Sequence, residues 1–320
     1  LPQSQQDMML SQLNEQQVAE LAEKSNVETM KRFNERPGTV SNQYLHDLYR
    51  FFKLSVRKSE FRDIFKEKLD LHHVPALDNI LYWEDVLFPI ADFYLAKERW
   101  DEAIEIYEEL ESIGGFEGES AEYYQKFGYA LQKRKKYTEA IQAYLKADTL
   151  KPDNIWNNRH LAICYRLNRN YQAALTYYKK VEEAAPEDTN VTFYIGSCLA
   201  ELGQYEEALN YFFKLDFIEN NCIKAWRGIG WCSFISQKYE QAMKYYEKII
   251  KQKPLAIDYM NAGHVAWVMG DIQKAAVFYG KAITASGNRE RFLEMFHKDE
   301  ESLLTQGIRE EDIPLMLDLL

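Results

Sequence analysis

Hydrophobic and polar residues alternate along this chain with the period of an α-helix, and the alternation itself recurs. In the stretch 136–144, Tyr137, Ala140 and Tyr144 fall on one face of a helix. The alanine recurs downstream after 34, 34, 34 and 33 residues, and it has one upstream counterpart 37 residues earlier. The column consists of Ala103, Ala140, Ala174, Ala208, Ala242 and Ala275. A nearly constant period in this range predicts a solenoid of stacked repeats.

Each repeat carries two apolar stripes of helical period separated by a short polar turn, which predicts two antiparallel helices. In the second helix an aromatic residue follows the alanine by four positions, one turn along the same face. These aromatic residues are Tyr107, Tyr144, Tyr178, Phe212, Tyr246 and Tyr279. The first helix has a column of small residues: Ala91, Gly128, Ala162, Gly196, Gly230 and Gly263. Small residues let two helices approach closely, and the ring fills the remaining space.

The pattern divides the chain into four parts. The pattern predicts an amino-terminal helix and linker over residues 1–40. Over residues 41–83 it predicts a helical hairpin that acts as a cap or degenerate repeat. Six repeats are expected at 84–120, 121–154, 155–188, 189–222, 223–255 and 256–289. Residues 290–320 predict carboxyl-terminal capping helices. Pro152, Pro186 and Pro254 mark the ends of second helices, whereas Pro89 falls inside a first helix and should kink or shorten it.

Two segments of the first helices match a known repeat motif. These segments are Trp226-x2-Ile229-Gly230 and Ile195-Gly196-x2-Leu199. Over residues 84–289 the chain resembles the tetratricopeptide repeat (TPR) family, with an insertion at 114–118 as a departure. The resemblance implies an all-α fold, an α-α superhelix (TPR solenoid) with helical caps at both ends. It also implies a non-enzymatic protein-interaction scaffold, in which the first helices line a concave groove for a peptide or a partner's helix.

Composition narrows the classes of partner. The chain has 320 residues and a net charge of −11, which argues against nucleic acid because such ligands generally require a basic face. No apolar run approaches the length of a membrane span, so a soluble, cytoplasmic protein is expected. Leu1 in place of an initiator Met suggests a processed or excised piece.

Side chains capable of catalysis or metal binding do not form any familiar pattern. There is no CxxC, no HExxH and no nucleophile signature, so neither a catalytic site nor a metal or cofactor is expected. Three of the four cysteines, Cys164, Cys198 and Cys232, recur at 34-residue spacing. Neighbouring helices pack too far apart for disulfides between such positions, and these residues are therefore interpreted as small buried side chains.

A candidate groove follows from the first helices. Positions i, i+4 and i+7 after the first core column lie about 120° from the small-residue stripe and should face solvent in a solenoid. Across fifteen such positions, residues 125–267, there is no Asp or Glu, although about two are expected from 50 acids in 320 residues. Large apolar residues and arginines occur instead, as is typical of interaction surfaces.

The predicted groove set consists of Tyr129, Arg159, Ile163, Arg166, Phe193, Arg227, Trp231, Phe234, Met260, His264 and Trp267. Trp231, Phe234 and Trp267 are expected to be apolar anchors. Arg159, Arg166 and Arg227 are expected to receive an acidic or carboxylate group of the partner. The clamp of chaperone-binding relatives is absent, because Ile163 follows Arg159 one turn later and Gly228 follows Lys224.

Three other interpretations compete with an open groove. In the first, the groove is occluded, because the amino-terminal helix folds back over it or because curvature buries it against a neighbouring helix. In the second, the apolar surface or the Leu-rich carboxyl end mediates self-assembly into a structural protein. Alternatively, the chain is the regulatory array of a larger enzyme.

Overall fold

The computed structural model describes residues 84–113 and 120–320. The predicted amino-terminal helix, the hairpin at 41–83 and the insertion at 114–118 lie outside these residues, and the division into domains stays a prediction. Over the described residues the chain is all α-helical, without strands, so the predicted fold class is confirmed.

Six helix pairs follow one another along the chain. They are α1 (Glu84–Ala96) with α2 (Trp100–Ile113), α3 (Ala121–Lys133) with α4 (Tyr137–Leu150), α5 (Ile155–Leu167) with α6 (Tyr171–Ala184), α7 (Thr189–Glu201) with α8 (Tyr205–Ile218), α9 (Ile223–Ile235) with α10 (Tyr239–Ile250), and α11 (Ala256–Val268) with α12 (Ile272–Ser286). The first helices start where the predicted repeats start. Each pair is therefore called repeat 1 to repeat 6 in chain order.

Contacts between backbones divide the chain into two compact units, residues 1–150 and 151–320. The described part of the first unit contains repeats 1 and 2. The second contains repeats 3 to 6 and two further helices. Within each unit, the two helices of a repeat pack against each other, and the second helix packs against the first helix of the next repeat.

The turn inside each repeat is closed by one residue in the left-handed region, as is usual after a helix. These residues are Glu98, Lys135, Arg169, Gly203, Gln237 and Gly270, with φ between 57° and 84°. The next amide then reaches back to the ending helix; the N–H of Asn170, for example, donates to the carbonyl of Tyr165 at 2.9 Å. Helix pairs therefore turn alike although only two of the six positions are glycine.

Small residues of the first helix receive an aromatic ring from the second helix. A Cβ at Gly128 would lie 2.8 Å from the ring of Tyr144, and one at Gly263 would lie 2.5 Å from the ring of Tyr279. The same contact joins Gly196 to Phe212 and Gly230 to Tyr246. All alanines and aromatic residues of the two predicted columns are buried. The contact of ring and small residue is thus the common core of the repeats.

The structure bears on two local predictions, one about the cysteines and one about Pro89. Cys164, Cys198 and Cys232 are buried free thiols, as interpreted from their spacing. Helix α1 runs through Pro89 and, at 13 residues, is as long as α3, so Pro89 does not shorten it, and the alternative of a kink stays a prediction. Pro89 lies near the amino-terminal end, where the amide it lacks would have bonded only to the carbonyl of Asp85 in the first turn.

The last repeat is followed by α13 (Arg289–Thr305) and α14 (Asp312–Asp318), at the position predicted for capping helices. Gly287, with φ of 94°, ends α12, and Asn288 then caps α13 by accepting the N–H of Arg291 at 2.8 Å. Phe292, Phe296 and Leu303 of α13 are completely buried. The pair α13 and α14, residues 289–318, is called the cap segment below.

Candidate partner-binding site

The first helices of repeats 3 to 5 present the part of the groove set that remains accessible. Arg159, Ile163, Arg166, Phe193, Arg227 and Trp231 are all partly exposed. Tyr129 belongs to the other unit; it is partly exposed, and its ring meets Trp100 edge-on at 5.9 Å. The name "open surface" is used below for the six residues of repeats 3 to 5.

Arg159 is bound to a carboxylate of its own chain. Its Nη2 lies 2.7 Å from Oδ2 of Asp188, the residue that caps α7. The other oxygen of Asp188 accepts the amides of Asn190 at 3.0 Å and Val191 at 3.2 Å. Partial burial acts to raise the pKa of Asp188, but the bonds from Arg159 and from the amides outweigh it and lower the pKa below 3.8. Arg159 thus links repeats 3 and 4.

Arg227 is even more firmly engaged, which corrects its predicted role as a receiver of the partner's acid. Its Nε and Nη2 each donate to Asp258 at 2.7 Å in a bidentate pair. Asp258 is buried and also accepts the N–H of Leu255 at 2.7 Å. The hydrogen bond to Asp258 raises the pKa of Arg227. Because a buried carboxylate needs a charged donor, Arg227 joins repeats 5 and 6.

Arg166 differs from the other two arginines. Its Nε donates to the hydroxyl of Tyr178 at 3.3 Å, and its guanidinium lies 4.4 Å from the ring centre of Tyr194. Within residues 84–113 and 120–320, no carboxylate forms an ion pair with it. Burial raises the pKa of Tyr178 to about 12, while Arg166 acts to lower it. Arg166 is therefore the groove arginine best able to receive an external carboxylate.

Partly exposed aromatic side chains lie on the first helices of the next two repeats of the open surface. Phe193 packs against Phe212 at a ring distance of 6.0 Å, and the ammonium group of Lys224 lies 5.7 Å from its ring centre. Trp231 meets Phe234 at 5.7 Å. Both Phe193 and Trp231 are held in place by rings beneath them while keeping part of their surface exposed. Rigid, partly exposed aromatic residues are typical anchors for a partner.

The remaining four residues of the groove set do not line an open groove. Phe234, Met260, His264 and Trp267 are buried, contrary to the expectation that this arc faces solvent. Helix α13 packs on this part of the set: the ring of Phe296 lies 5.4 Å from that of His264, and Phe234, Met260 and Trp267 belong to the same buried cluster as Phe296. The interpretation of self-occlusion named a neighbouring helix and the amino-terminal helix as the cover, and the amino-terminal helix lies outside the described residues.

The ring nitrogens of His264 face polar groups of the same chain. Its Nδ1 lies 2.8 Å from the hydroxyl of Tyr279, and its Nε2 lies 3.5 Å from Oδ2 of Asp299 on α13. Burial, and secondarily the charge of Asp299, raise the pKa of Tyr279 well above its ordinary value. His264 is accordingly part of the contact between repeat 6 and the cap segment.

Comparison with known families agrees with this geometry. Residues 121–154 and 87–113 match two family models described as tetratricopeptide repeat, and residues 167–249 match the model described as anaphase-promoting complex, cyclosome, subunit 3. The array is built of tetratricopeptide repeats. No curated protein matches the sequence.

Solved tetratricopeptide repeat structures are similar to the chain. One from Parabacteroides merdae has 18% identity and a TM-score of 0.51, covering 73% of this chain and 96% of that one. MamA from Desulfovibrio magneticus has 18% identity and a TM-score of 0.50, covering 52% and 96%. YrrB, described as a TPR protein with an unusual peptide-binding site, has 22% identity and a TM-score of 0.48, and the match covers 56% of this chain and 93% of YrrB. At these identities the first two show the fold alone.

Three features that limit access to the groove residues of the tetratricopeptide array were not predicted from the sequence. They are the carboxylates Asp188 and Asp258, which bind Arg159 and Arg227, and helix α13, which packs on repeat 6. A signal was present in the first two cases, since an acid follows Arg159 by 29 residues and Arg227 by 31. That spacing places an acid at the start of the next first helix, beside the arginine.

The described part of the tetratricopeptide array also bears on metal binding and on membrane crossing. No group of three or more His, Cys, Asp or Glu side chains there could hold a metal ion. The same residues contain no helix that is both long and apolar enough to cross a membrane.

Proposed function

We propose that this protein is an interaction scaffold that binds a segment of a partner protein on the open surface of repeats 3 to 5. Repeat arrays of this kind use extended surfaces for binding. The observation that carries the proposal is Arg166, a partly exposed guanidinium without a carboxylate partner among the described residues, in a set of first helices that also carry partly exposed apolar side chains.

The chemistry of these side chains specifies the partner segment. Ile163, Phe193 and Trp231 offer apolar contact, and Arg166 offers two or more N–H donors in one plane. The partner segment therefore carries a carboxylate, either of Asp, Glu or a chain terminus, beside apolar side chains. Arg159 and Arg227 contribute to the shape of the surface but remain bound to Asp188 and Asp258.

Selection from a random peptide library displayed on phage tests this proposal with the unaltered protein. Selected peptides should share a carboxylate next to an apolar residue. Their affinity should fall about tenfold or more in Arg166→Ala, because a charged hydrogen bond is lost, and comparably in Trp231→Ala.

Two variants serve as controls for that measurement. Arg134→Ala removes the same charge from repeat 2, where Arg134 pairs with Asp101. Phe217→Ala removes an aromatic ring that is 90% exposed on α8. Both controls should leave the affinity unchanged. Equal affinity of the selected peptides for Arg166→Ala, Trp231→Ala and the unaltered protein would refute the proposed surface.

A further inference from the structure

Helix α13 does not simply extend the stack. Its first turns pack on repeat 6, where the ring of Phe292 lies 5.7 Å from that of Tyr279. Its far end reaches repeat 5, because Gln306 accepts the hydroxyl hydrogen of Tyr239 at 2.9 Å and donates to the carbonyl of Ile235 at 3.3 Å. A helix that continued the array would contact its nearest repeat alone. The cap segment therefore folds back across the first helices.

The four buried residues of the groove set, Phe234, Met260, His264 and Trp267, are called the covered surface, and they continue the open surface along the first helices. His264 occupies the same slot on its first helix as the open residues Ile163 and Trp231, and Phe234 occupies the same slot as the open residue Arg166. Trp231 of the open surface and Phe234 of the covered surface are in direct contact, with ring centres 5.7 Å apart. One wall thus runs through repeats 3 to 6 of this unit, and α13 occupies its last part.

The way in which α13 binds this wall indicates the kind of ligand that the wall accepts. Phe292, Phe296 and Leu303 lie on one helical face and are completely buried. Asp299 lies between them in sequence and approaches His264 at 3.5 Å. The wall therefore accepts an amphipathic helix with aromatic residues four positions apart, which is helix-in-groove recognition.

Glycines flank the helix at both ends. Gly287 precedes it with φ of 94°, and Gly307 follows it with φ of 96°. A Cβ at Gly307 would meet no neighbour within 4 Å, so its surroundings leave the backbone room to move. Single-residue joints of this kind can absorb a hinge motion.

We propose that residues 289–307 occupy the wall of repeats 5 and 6 in place of a partner helix of the same kind, which displaces them. The partner segment is then an amphipathic helix with two aromatic residues at i and i+4. This inference rests on the proposed function in taking the wall as the partner site, and it adds the conformation of the ligand and a built-in competitor.

Hydrogen exchange on the full chain tests whether α13 opens by itself. Gln306→Ala removes both polar bonds to repeat 5 without touching the buried rings. Exchange of amides in 289–305 should accelerate about threefold or more, while amides of 189–201 should remain unchanged. Unchanged exchange in 289–305, or acceleration of both helices together, would overturn the proposal, because α13 would then be an integral part of the stack.

A labelled synthetic peptide of residues 289–307 tests whether the wall accepts such a helix in trans. Fluorescence anisotropy should show saturable binding to the full chain, and Gln306→Ala should bind it more tightly by the same factor as the increase in exchange. A peptide with Phe292→Ala and Phe296→Ala should bind at least about tenfold more weakly. Absence of saturable binding, or equal binding of both peptides, would overturn the proposal.

Failure of this inference can be distinguished from failure of the proposed function. Arg166 lies in repeat 3, so Arg166→Ala should leave binding of the 289–307 peptide unchanged. Loss of phage-selected ligands in Arg166→Ala with no binding of the peptide would keep the open surface and reject the helical competitor.

Discussion

The contact between Gly263 and the ring of Tyr279 allows a sharp test of the repeat core. Substitution Gly263→Ala introduces a Cβ that would lie 2.5 and 2.6 Å from two ring carbons, well inside normal contact distance. The ring cannot retreat easily, because Tyr279 is completely buried and Phe292, Phe296 and His264 surround it. Either the ring or one of the two helices must therefore shift.

The expected magnitude is the balance of two effects. Replacing glycine by alanine inside a helix stabilises it by about 0.5–1 kcal/mol, whereas overpacking a core costs about 1–3 kcal/mol. Gly263→Ala should consequently lower the free energy of unfolding by about 1–2 kcal/mol. Gly280, in the interior of α12, is the matched control, since a Cβ there would meet nothing within 4 Å. Gly280→Ala should raise the free energy of unfolding by about 0.5–1 kcal/mol.

Denaturant unfolding followed by circular dichroism, with hydrogen exchange of 256–286 as a local measure, compares the two variants. A local measure is needed because repeat arrays need not unfold in one step. If Gly263→Ala were as stable as Gly280→Ala, the ring would not be held as described and the close contact would not define the core.

Three further outcomes follow from individual groups. Arg227→Ala should lower the free energy of unfolding by about 1–3 kcal/mol, measured by denaturant unfolding, because buried Asp258 loses its charged partner; a loss below about 0.5 kcal/mol would contradict the structural role. The lowered pKa of Asp188 means that its stabilising effect is present above the ordinary value of 3.8 and is lost as the pH falls. Asp188→Asn should therefore weaken the loss of stability between pH 5 and about pH 3 in thermal melts, and an unchanged acid limb would contradict the bond to Arg159. Burial raises the pKa of Cys164 to about 12, so its thiol should not react with a thiol-specific reagent at pH 8 until the chain unfolds, as mass spectrometry after proteolysis would show; labelling of the folded chain would contradict its burial.

The repeat architecture follows from local rules and could therefore be read from sequence. An alanine and an aromatic residue four positions apart, with a small residue on the other helix, are the requirements of the contact seen between Gly128 and Tyr144. The same requirement recurs in every repeat, so several columns agree at once. Turns were predictable only in position, because the left-handed residue is Lys135 in one repeat and Gly203 in another.

The accessible part of the candidate site could not be predicted in the same way. Whether His264 meets solvent depends on α13, which is not a repeat and whose docking leaves no periodic trace in sequence. Whether Arg227 is available depends on Asp258, a single residue in the next repeat. Arg166 stands out only after these two contacts are known, since the sequence presents it with Arg159 and Arg227 as one of three groove arginines.

Identical ring contacts and a 34-residue spacing have a consequence for how such a chain can change in length. Removal of residues 189–222, one whole repeat, would join Ile223 directly to Asp188, so that a first helix again starts behind the same capping residue. The glycine of that helix would still receive the aromatic ring of its own second helix. Deletion or duplication of a complete segment therefore conserves the contacts within each remaining repeat, and the extent of the binding wall can evolve separately from the fold of its parts.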